Sequence, residues 1–344
     1  MKYLRALLVA AASAAMVVAC STTGMYASSG ESSGTAGASA TSSTTAASST
    51  VTSSSSSAAS STTSSSGEPV GTIGQNGGTL DTLSFAIVGD TRPPNEDDTA
   101  GYPTAVITQI WKDLQAASPR PAFAVTTGDY QYANPFGTQS KPQLQAYLTA
   151  RQAFSNIVFP VMGNHECTGY TASNCGQGNT DGITNNYTNF MSMMLAPIGQ
   201  TTLPYYTIDV NGTNNAWTAK FVMVACNAWD QTQATWLDGE LAKPTTYTFV
   251  VRHEGNDATT APCVTPMASM LSSHPLTLLI AGHTHTFEFY GNERQMIVGN
   301  GGAPLSGHLD YGYVIAAQQP NGTINFDEYD YMSNQVVQNY NLSK

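Results

Sequence analysis

Basic residues are scarce in this sequence. Its 344 residues include 12 Lys and Arg but 23 Asp and Glu, which gives a formal net charge of −11 at pH 7. The absence of any basic run argues against nucleic-acid binding through a charged surface, because that mode of binding needs Lys and Arg contacts to phosphates. A polyanionic substrate would also be repelled at long range unless metal cations supplied positive charge locally.

Cysteine is scarce as well. Besides Cys20 near the N-terminus, the sequence contains Cys167, Cys175, Cys226 and Cys263. No two cysteines stand at C-x-x-C spacing, which argues against a Cys-based zinc site. An even number of cysteines in an exported protein suggests two disulfides, with Cys167–Cys175 closing a short loop and Cys226–Cys263 as the second bridge. Free buried thiols are the alternative that the sequence leaves open.

A long apolar run is also missing. A transmembrane helix needs about 20 apolar residues, whereas the apolar run at residues 6–19 is shorter. This run follows Lys2 and Arg5, and a short apolar run behind a positively charged start is typical of a secretory signal peptide. We therefore expect the protein to be exported.

The apolar run ends in the segment Val17-Val18-Ala19-Cys20-Ser21, which resembles the lipobox of bacterial lipoproteins. In that family the Cys becomes the lipidated first residue of the mature protein. The resemblance implies that residues 1–20 are a lipoprotein-type signal peptide. A lipid anchor on Cys20 would then tether the protein to the cell envelope and be its only attachment to a membrane. Ordinary signal cleavage after the apolar run is the alternative.

The composition changes sharply after the signal. Residues 21–79 are rich in Ser, Thr and Ala. Such a segment cannot bury enough apolar surface to offset its loss of chain entropy on folding, so we predict a disordered tether. The remaining residues, 80–344, are sufficient for one α/β domain with its own core.

The first half of this domain alternates strand and helix signals. The apolar patterns predict strands at 83–88, 122–126 and 157–161, and helices at 104–117 and 144–154. This order implies parallel strands with right-handed crossovers. Because ligands bind at the carboxyl ends of parallel strands, Asp90, Asp129 and the pair Asn164-His165 should meet at one edge of the sheet.

The second half follows a long insertion. Residues 167–204 are rich in Asn, Gly and Thr, which suggests a lid or substrate wall, with a Met-rich helical piece at 190–195. Beyond it we predict a helix at 232–242 and strands at 205–210, 220–225, 247–251 and 276–280. Four late strands, expected to be antiparallel, follow at 286–290, 295–298, 312–316 and 323–327. Two of the apolar strands end in Arg252-His253 and in His283-Thr284-His285.

The polar residues at these strand ends have the donor types of a metal site. Two carboxylates, one Asn amide oxygen and three imidazoles form a mixed oxygen and nitrogen set that suits Zn, Fe, Mn and similar ions. Two carboxylates in one pocket repel each other unless one is protonated or cations bridge them. Two ions about 3.5–4 Å apart are suited to in-line displacement at phosphorus. The sequence therefore predicts a two-metal site for phosphoester chemistry.

Five blocks of sequence resemble, in this order, the signature of the calcineurin-like metallophosphoesterases. The blocks are Gly89-Asp90, Gly128-Asp129, Gly163-Asn164-His165-Glu166, Val250-Val251-Arg252-His253 and Gly282-His283-Thr284-His285. The family has an α/β fold, a four-layer αββα sandwich of two mixed β-sheets flanked by helices. The resemblance implies this fold for residues 80–344.

The same resemblance implies two metal ions of the Fe, Zn or Mn class, bridged by Asp129. The further ligands would be Asp90 and His285 on one ion, and Asn164, His253 and His283 on the other. A metal-activated hydroxide would attack phosphorus in line. His165 would be the general acid that protonates the leaving group, or a stabiliser of the transition state, rather than a metal ligand.

Two positions distinguish this sequence within the family. In most members a His follows the first Asp by two residues, but Arg92 stands there. The purple acid phosphatases also lack this His and have a Tyr three residues after the second Asp, where this sequence has Tyr132. Tyr132 is therefore a candidate metal ligand, with a place in the pocket wall as the alternative. Arg92 is a candidate to bind the substrate phosphate, with a surface salt bridge as the alternative.

Together these features predict an exported, metal-dependent hydrolase of phosphoric esters that acts on a phosphorylated small molecule or another phosphoester. The alternative is a catalytically inactive, surface-tethered binding protein on the same fold, with Arg92 marking the decay of one metal site. Metal content and hydrolysis of an aryl phosphate before and after chelation would distinguish the two.

Overall fold

The computed structural model of this protein describes residues 70–307 and 310–343. The predicted signal peptide, the lipid anchor on Cys20 and the tether up to residue 69 lie outside the described residues. Two short strands, Gly71–Gly74 and Gly77–Leu80, precede or overlap the predicted start of the domain at residue 80. Among the described helices, none combines the length and the apolar character needed to cross a membrane.

The strands form two β-sheets, and helices connect several of the strands. The strands are β1 (Gly71–Gly74), β2 (Gly77–Leu80), β3 (Ser84–Val88), β4 (Phe123–Thr126), β5 (Val158–Pro160), β6 (Tyr206–Gly212), β7 (Thr218–Met223), β8 (Tyr247–Val251), β9 (Leu278–Ala281), β10 (Phe287–Tyr290), β11 (Gln295–Val298), β12 (Gly312–Gln318), β13 (Ile324–Asp330) and β14 (Gln335–Leu342). The helices are α1 (Thr104–Ala116), α2 (Ser140–Arg151), α3 (Asn185–Phe190), α4 (Gln231–Leu241) and α5 (Val264–Ser273). A π-helical turn, Met191–Leu195, continues α3.

Both sheets are mixed. The larger has the strand order β1-β2-β6-β7-β8-β9-β11-β10, and the smaller has the order β14-β13-β12-β3-β4-β5. Strands β3, β4 and β5 are parallel neighbours, which confirms the predicted βαβαβ arrangement. Strands β7, β8 and β9 form a second parallel set in the larger sheet. Each sheet therefore directs three neighbouring strands toward one edge.

An aromatic core joins the inner faces of the two sheets. Phe85 of β3 packs against Phe221 of β7 and Phe249 of β8, with ring centroids 4.8 and 5.2 Å apart. All three side chains are fully buried. Aromatic pairs at such separations contribute roughly 0.5–1.5 kcal/mol each beyond the burial of their surface, so this contact fixes how the sheets face each other.

Helices cover the outer faces. On the larger sheet, Val250 of β8 packs in one cluster with Leu237 of α4 and Met267 of α5. On the smaller sheet, Ser84 of β3 points away from the core side of its neighbour Phe85. Asp113 of α1 lines the same cleft as Ser84, which places α1 on this outer face. The order helix, sheet, sheet, helix confirms the predicted four-layer α/β sandwich.

Several element predictions differ from the structure. Helix α2 begins at Ser140 rather than at residue 144, because a Pro is well tolerated in a first helical turn. The patterns do not predict α5 or β14, and β14 is largely exposed, which leaves it without clear apolar alternation. Of the late strands, β11 is antiparallel to β10 as predicted but runs parallel to β9.

Both predicted disulfides are present. Cys167 is bonded to Cys175, and Cys226 is bonded to Cys263. The first closes a loop at the start of the long insertion, directly after the Asn-His pair. The second joins the segment after β7 to the start of α5. Disulfides of this kind persist mainly in oxidising compartments.

Candidate metal centre

The three parallel strands of the smaller sheet bring their polar ends together. The backbone N–H of His165, after β5, donates to Asp129 Oδ1, after β4, over 3.2 Å. The backbone N–H of Asp90, after β3, donates to the carbonyl of Gly128 over 3.2 Å. The predicted convergence of these strand ends is confirmed.

The larger sheet adds its His residues to the same pocket. After β9, the backbone N–H of His283 lies 3.0 Å from both carboxylate oxygens of Asp90. After β8, His253 Nε2 lies 3.2 Å from Asp129 Oδ1. The pocket therefore lies where the exits of both parallel strand sets meet, and neither sheet alone contains all of its donors.

One group of donors converges closely. Asn164 Oδ1 lies 3.0 Å from His253 Nε2 and 3.1 Å from His283 Nδ1, and these two nitrogens are 3.2 Å apart. Ligand atoms about 2.1 Å from one ion, at octahedral or tetrahedral angles, are about 3.0–3.4 Å apart. The three atoms thus have the mutual spacing of ligands around a single cation.

Backbone carbonyls orient these donors. His253 Nδ1 bonds the carbonyl of Thr127 over 2.7 Å, which leaves Nε2 as the nitrogen that faces the pocket. Asn164 Nδ2 donates to the carbonyl of Gly169 over 2.7 Å, which turns Oδ1 inward. Such partners fix the tautomer and orientation of metal ligands in proteins.

A second group of donors adjoins the first. One ligand atom from each of Asp90, Asp129 and His285 lies within 4.8 Å of the other two. His285 Nδ1 bonds the carbonyl of Pro304 over 2.8 Å, which leaves Nε2 facing Asp90 Oδ1 at 3.6 Å. Asp129 contacts both groups, since its Oδ1 also faces His253. The donor set therefore fits two neighbouring cations with one shared carboxylate.

The electrostatics of the pocket also favour cations. Burial raises the pKa of the Asp90 carboxyl well above its usual range, and the nearby Asp129 raises it further. Burial opposes the charge on Asp129 as well, but His253 and His165 outweigh it and hold the pKa of that carboxyl well below its usual range. Cations between the two buried carboxylates would remove their mutual repulsion and allow both to be ionised.

Four of the donor residues have unusual backbone conformations. Asp90, Asp129, His283 and His285 have φ values of 54°, 56°, 75° and 53°, in the left-handed region that residues with a Cβ rarely adopt. Such strain concentrates at functional sites, where the surrounding structure holds it in place. A close approach adds a further constraint, because a Cβ on Gly282 would collide with the Asp90 carboxylate.

Three further predicted residues line the side of Asp129 that faces away from His253. His165 Nε2 and Arg92 Nε lie 3.8 and 3.6 Å from Asp129 Oδ2. The Tyr132 ring packs edge-on against His165, with ring centroids 4.4 Å apart, and the Arg92 guanidinium lies 4.6 Å from its centroid. His165 Nδ1 and Arg92 Nε are buried and have no hydrogen-bond partner among the residues that the structure describes. Burial lowers the pKa of the His165 imidazole to about 3, so the ring is neutral at physiological pH.

Comparison with known families decides the identity of this arrangement. The family model for calcineurin-like phosphoesterases matches residues 83–287, which is more than half of the chain and includes both donor groups. The chain belongs to the calcineurin-like phosphoesterases. No match was found among curated proteins.

Solved structures similar to this calcineurin-like phosphoesterase include phosphatases. A purple acid phosphatase from yellow lupin (Lupinus luteus) seeds matches with 13% identity and a TM-score of 0.55, over 77% of this chain and 56% of that chain. This phosphoesterase thus spans little more than half the length of the lupin protein. A 5'-nucleotidase from Candida albicans matches with 9% identity and a TM-score of 0.43, over 73% of this chain and 52% of that chain. At 13% identity, the similarity to the lupin protein shows that the two chains share a fold and no more than that.

One residue beside the metal centre of this calcineurin-like phosphoesterase has a role that its position in sequence does not reveal. Glu166 directly follows His165 in the sequence. Its buried carboxylate accepts the backbone N–H groups of Gly163, Asp129 and Tyr130, each over 2.9 Å. It therefore ties the exit of β4 to the exit of β5. Burial raises the pKa of Glu166 to about 8.

Proposed function

We propose that this calcineurin-like phosphoesterase is an exported hydrolase of phosphoric esters that depends on two metal ions of the Fe, Zn or Mn class. The observation that carries this proposal is the pair of adjoining donor groups with Asp129 between them. The mixed oxygen and nitrogen donors suit these ions. Bound cations would also stabilise the ionised forms of the buried carboxylates.

Each donor group would hold one ion. Asp90 and His285 would bind the first, Asn164, His253 and His283 would bind the second, and Asp129 would contact both. When bound, such ions supply Lewis acidity, which lowers the pKa of a water and offsets the charge of a phosphoryl group.

Arg92 and His165, which lie near Asp129 Oδ2, would bind the substrate and protonate its leaving group. The Arg92 guanidinium is held against the Tyr132 ring, and its fork of donors suits the oxygens of a phosphoryl group. His165 would donate a proton from its ring to the leaving-group oxygen, as a general acid. Tyr132 is also a candidate ligand through its phenolic oxygen, if the ion nearest to it is trivalent iron.

The proposal is tested with the purified full chain. Elemental analysis should find two metal ions per chain, and p-nitrophenyl phosphate should be hydrolysed, with activity lost on chelation and restored by Fe, Zn or Mn. A visible charge-transfer band after iron loading would support Tyr132 as a ligand, and a colourless, active zinc enzyme would exclude that role. Absence of hydrolysis of both a mono- and a diester by metal-loaded protein would instead favour an inactive binding protein.

Export and membrane tethering are part of this proposal. The lipobox-like segment around Cys20 and the formation of two disulfides support it. In cells fed a labelled fatty acid, the wild-type protein should become labelled and fractionate with membranes. Cys20→Ser should abolish the label and release the protein from the membrane fraction, and equal labelling of both proteins would refute the lipid anchor.

A further inference from the structure

A short loop closed by a disulfide lies beside one of the two donor groups. The loop runs from residue 167 to residue 175 and is closed by the Cys167–Cys175 bond. Its Gly169 carbonyl accepts the hydrogen bond from Asn164 Nδ2 over 2.7 Å. Its Thr171 Oγ1 lies 3.3 Å from His283 Nε2. The loop thus contacts two of the three donors in the group of Asn164, His253 and His283.

The Thr171 contact bears on which nitrogen of His283 can bind a metal. His283 Nδ1 faces Asn164 Oδ1 and His253 Nε2 at 3.1 and 3.2 Å. For Nδ1 to offer its lone pair there, the ring proton has to be on Nε2. A hydroxyl oxygen is a suitable acceptor for that proton. Thr171 therefore favours the tautomer of His283 that binds a metal through Nδ1.

The loop is held in place by a residue in the turn that follows β7. Asn227, which is fully buried, donates from Nδ2 to the carbonyls of Thr171 and Ser173, each over 3.0 Å. The carbonyl of Asn227 accepts the backbone N–H of Cys175 over 2.7 Å. Asn227 and the disulfide thus act on the same nine-residue loop, and the position of Thr171 depends on both.

The other donor group has separate support. Asp90 accepts, through its backbone carbonyl, a hydrogen bond of 2.7 Å from Ala303, and His285 bonds Pro304. Both partners belong to the segment after β11. Among the described residues, no hydrogen bond joins the 167–175 loop to Asp90, Asp129 or His285. Apart from the hydrogen bond from the His283 backbone to the Asp90 carboxylate, the two groups are therefore supported by different loops.

We propose that the disulfide-closed loop 167–175 selectively sets the affinity of one of the two ion sites, with Thr171 as a positioning residue for His283. The loop would pre-organise Asn164 and His283 and leave the site of Asp90 and His285 largely unaffected. This inference rests on the proposed two-metal function. It concerns the chain's own residues, so metal affinity tests it independently of turnover.

The test is a titration of the metal-free full chain with Zn²⁺ in competition with a fluorescent chelator. Thr171→Val keeps the shape of the side chain but removes the acceptor, and it should weaken one of the two binding steps by roughly 10- to 100-fold, as loss of such a partner usually does. The other step should stay unchanged. Thr171→Ser keeps the hydroxyl and should restore the affinity.

Thr168→Val is the matched control, because Thr168 lies in the same loop and bonds Ser173 Oγ rather than a metal donor. It should leave both binding steps unchanged. The double variant Cys167→Ser/Cys175→Ser should weaken the same single step as Thr171→Val. Equal weakening of both steps, or no change in either, would overturn the selective role of the loop while leaving the proposed function intact. A wild-type protein that binds no metal would instead overturn the proposed function itself.

Discussion

Replacing Asp129 with Asn should remove most of the hydrolytic activity and lower the metal content. The Asp129 carboxylate belongs to one donor group and faces the His253 imidazole of the other, and its pKa is held well below the usual range by His253 and His165 against the effect of burial. The amide is isosteric but uncharged, so it cannot offset two cations. Because metal ions contribute several kcal/mol at the transition state, kcat/KM should fall by roughly 10³-fold or more.

Elemental analysis and hydrolysis of p-nitrophenyl phosphate check this expectation. Asp238→Asn is the matched control, because Asp238 is exposed on α4 and pairs with His274 at 3.0 Å, in a part of the chain that contributes no donor to the metal centre. The control should behave as wild type in both assays. An Asp129→Asn protein that keeps two ions and full activity would remove Asp129 from the centre of the proposal.

Replacing His165 with Ala should give the opposite combination: normal metal content and slow turnover. His165 Nε2 is 3.8 Å from Asp129, but the ring belongs to neither donor group. Loss of a general acid usually lowers the rate by roughly 10²- to 10⁴-fold. The variant should therefore bind two ions and lose kcat by at least about 10²-fold. Loss of one ion together with activity would make His165 a ligand instead.

The pH dependence gives a sharper test of the same residue. Burial lowers the pKa of free His165 to about 3, and cations beside it would lower that pKa further. A general acid acts from its protonated form, and the protonated fraction of a ring with so low a pKa falls about tenfold for each unit of rising pH. Turnover by the wild-type protein should therefore fall as the pH rises from about 4 to about 7.

Two comparisons isolate this effect. A diester should show the same fall as a monoester in the wild-type protein, because the proton comes from the His165 ring and not from the substrate. In His165→Ala the fall should disappear, because the variant has no imidazole at this position to supply the proton. A His165→Ala profile that keeps the wild-type shape would assign the proton transfer to another group. His274→Ala, which changes an imidazole paired with Asp238 on the surface, controls for loss of an imidazole elsewhere.

The positions of the donors could be predicted because each one follows an apolar strand. Asp90, Asp129 and Asn164 come shortly after β3, β4 and β5, and parallel order follows from the intervening helices. Strand periodicity and chain order are local properties that the sequence carries. The same reasoning placed His253 and His283 at the ends of β8 and β9.

The residues that orient the donors could not be predicted in this way. Thr171 and Asn227 lie 112 and 56 residues from the partners that they contact, and their side chains have many possible partners in an Asn- and Thr-rich insertion. The carbonyl partners of His253 and His285 are backbone groups, which any residue type supplies. Such contacts depend on tertiary structure, and only the donor residues themselves have a distinctive chemical type.

The left-handed backbone at four donor positions has a consequence for engineering. Each costs on the order of 1 kcal/mol for a residue with a Cβ, whereas glycine adopts the same conformation without that penalty. Directed evolution that selects for thermal stability alone should therefore favour glycine at Asp90, Asp129, His283 and His285. Thermal stability and metal binding favour different residues at these four positions. A library designed for thermal stability should therefore leave them unchanged and vary surface residues instead.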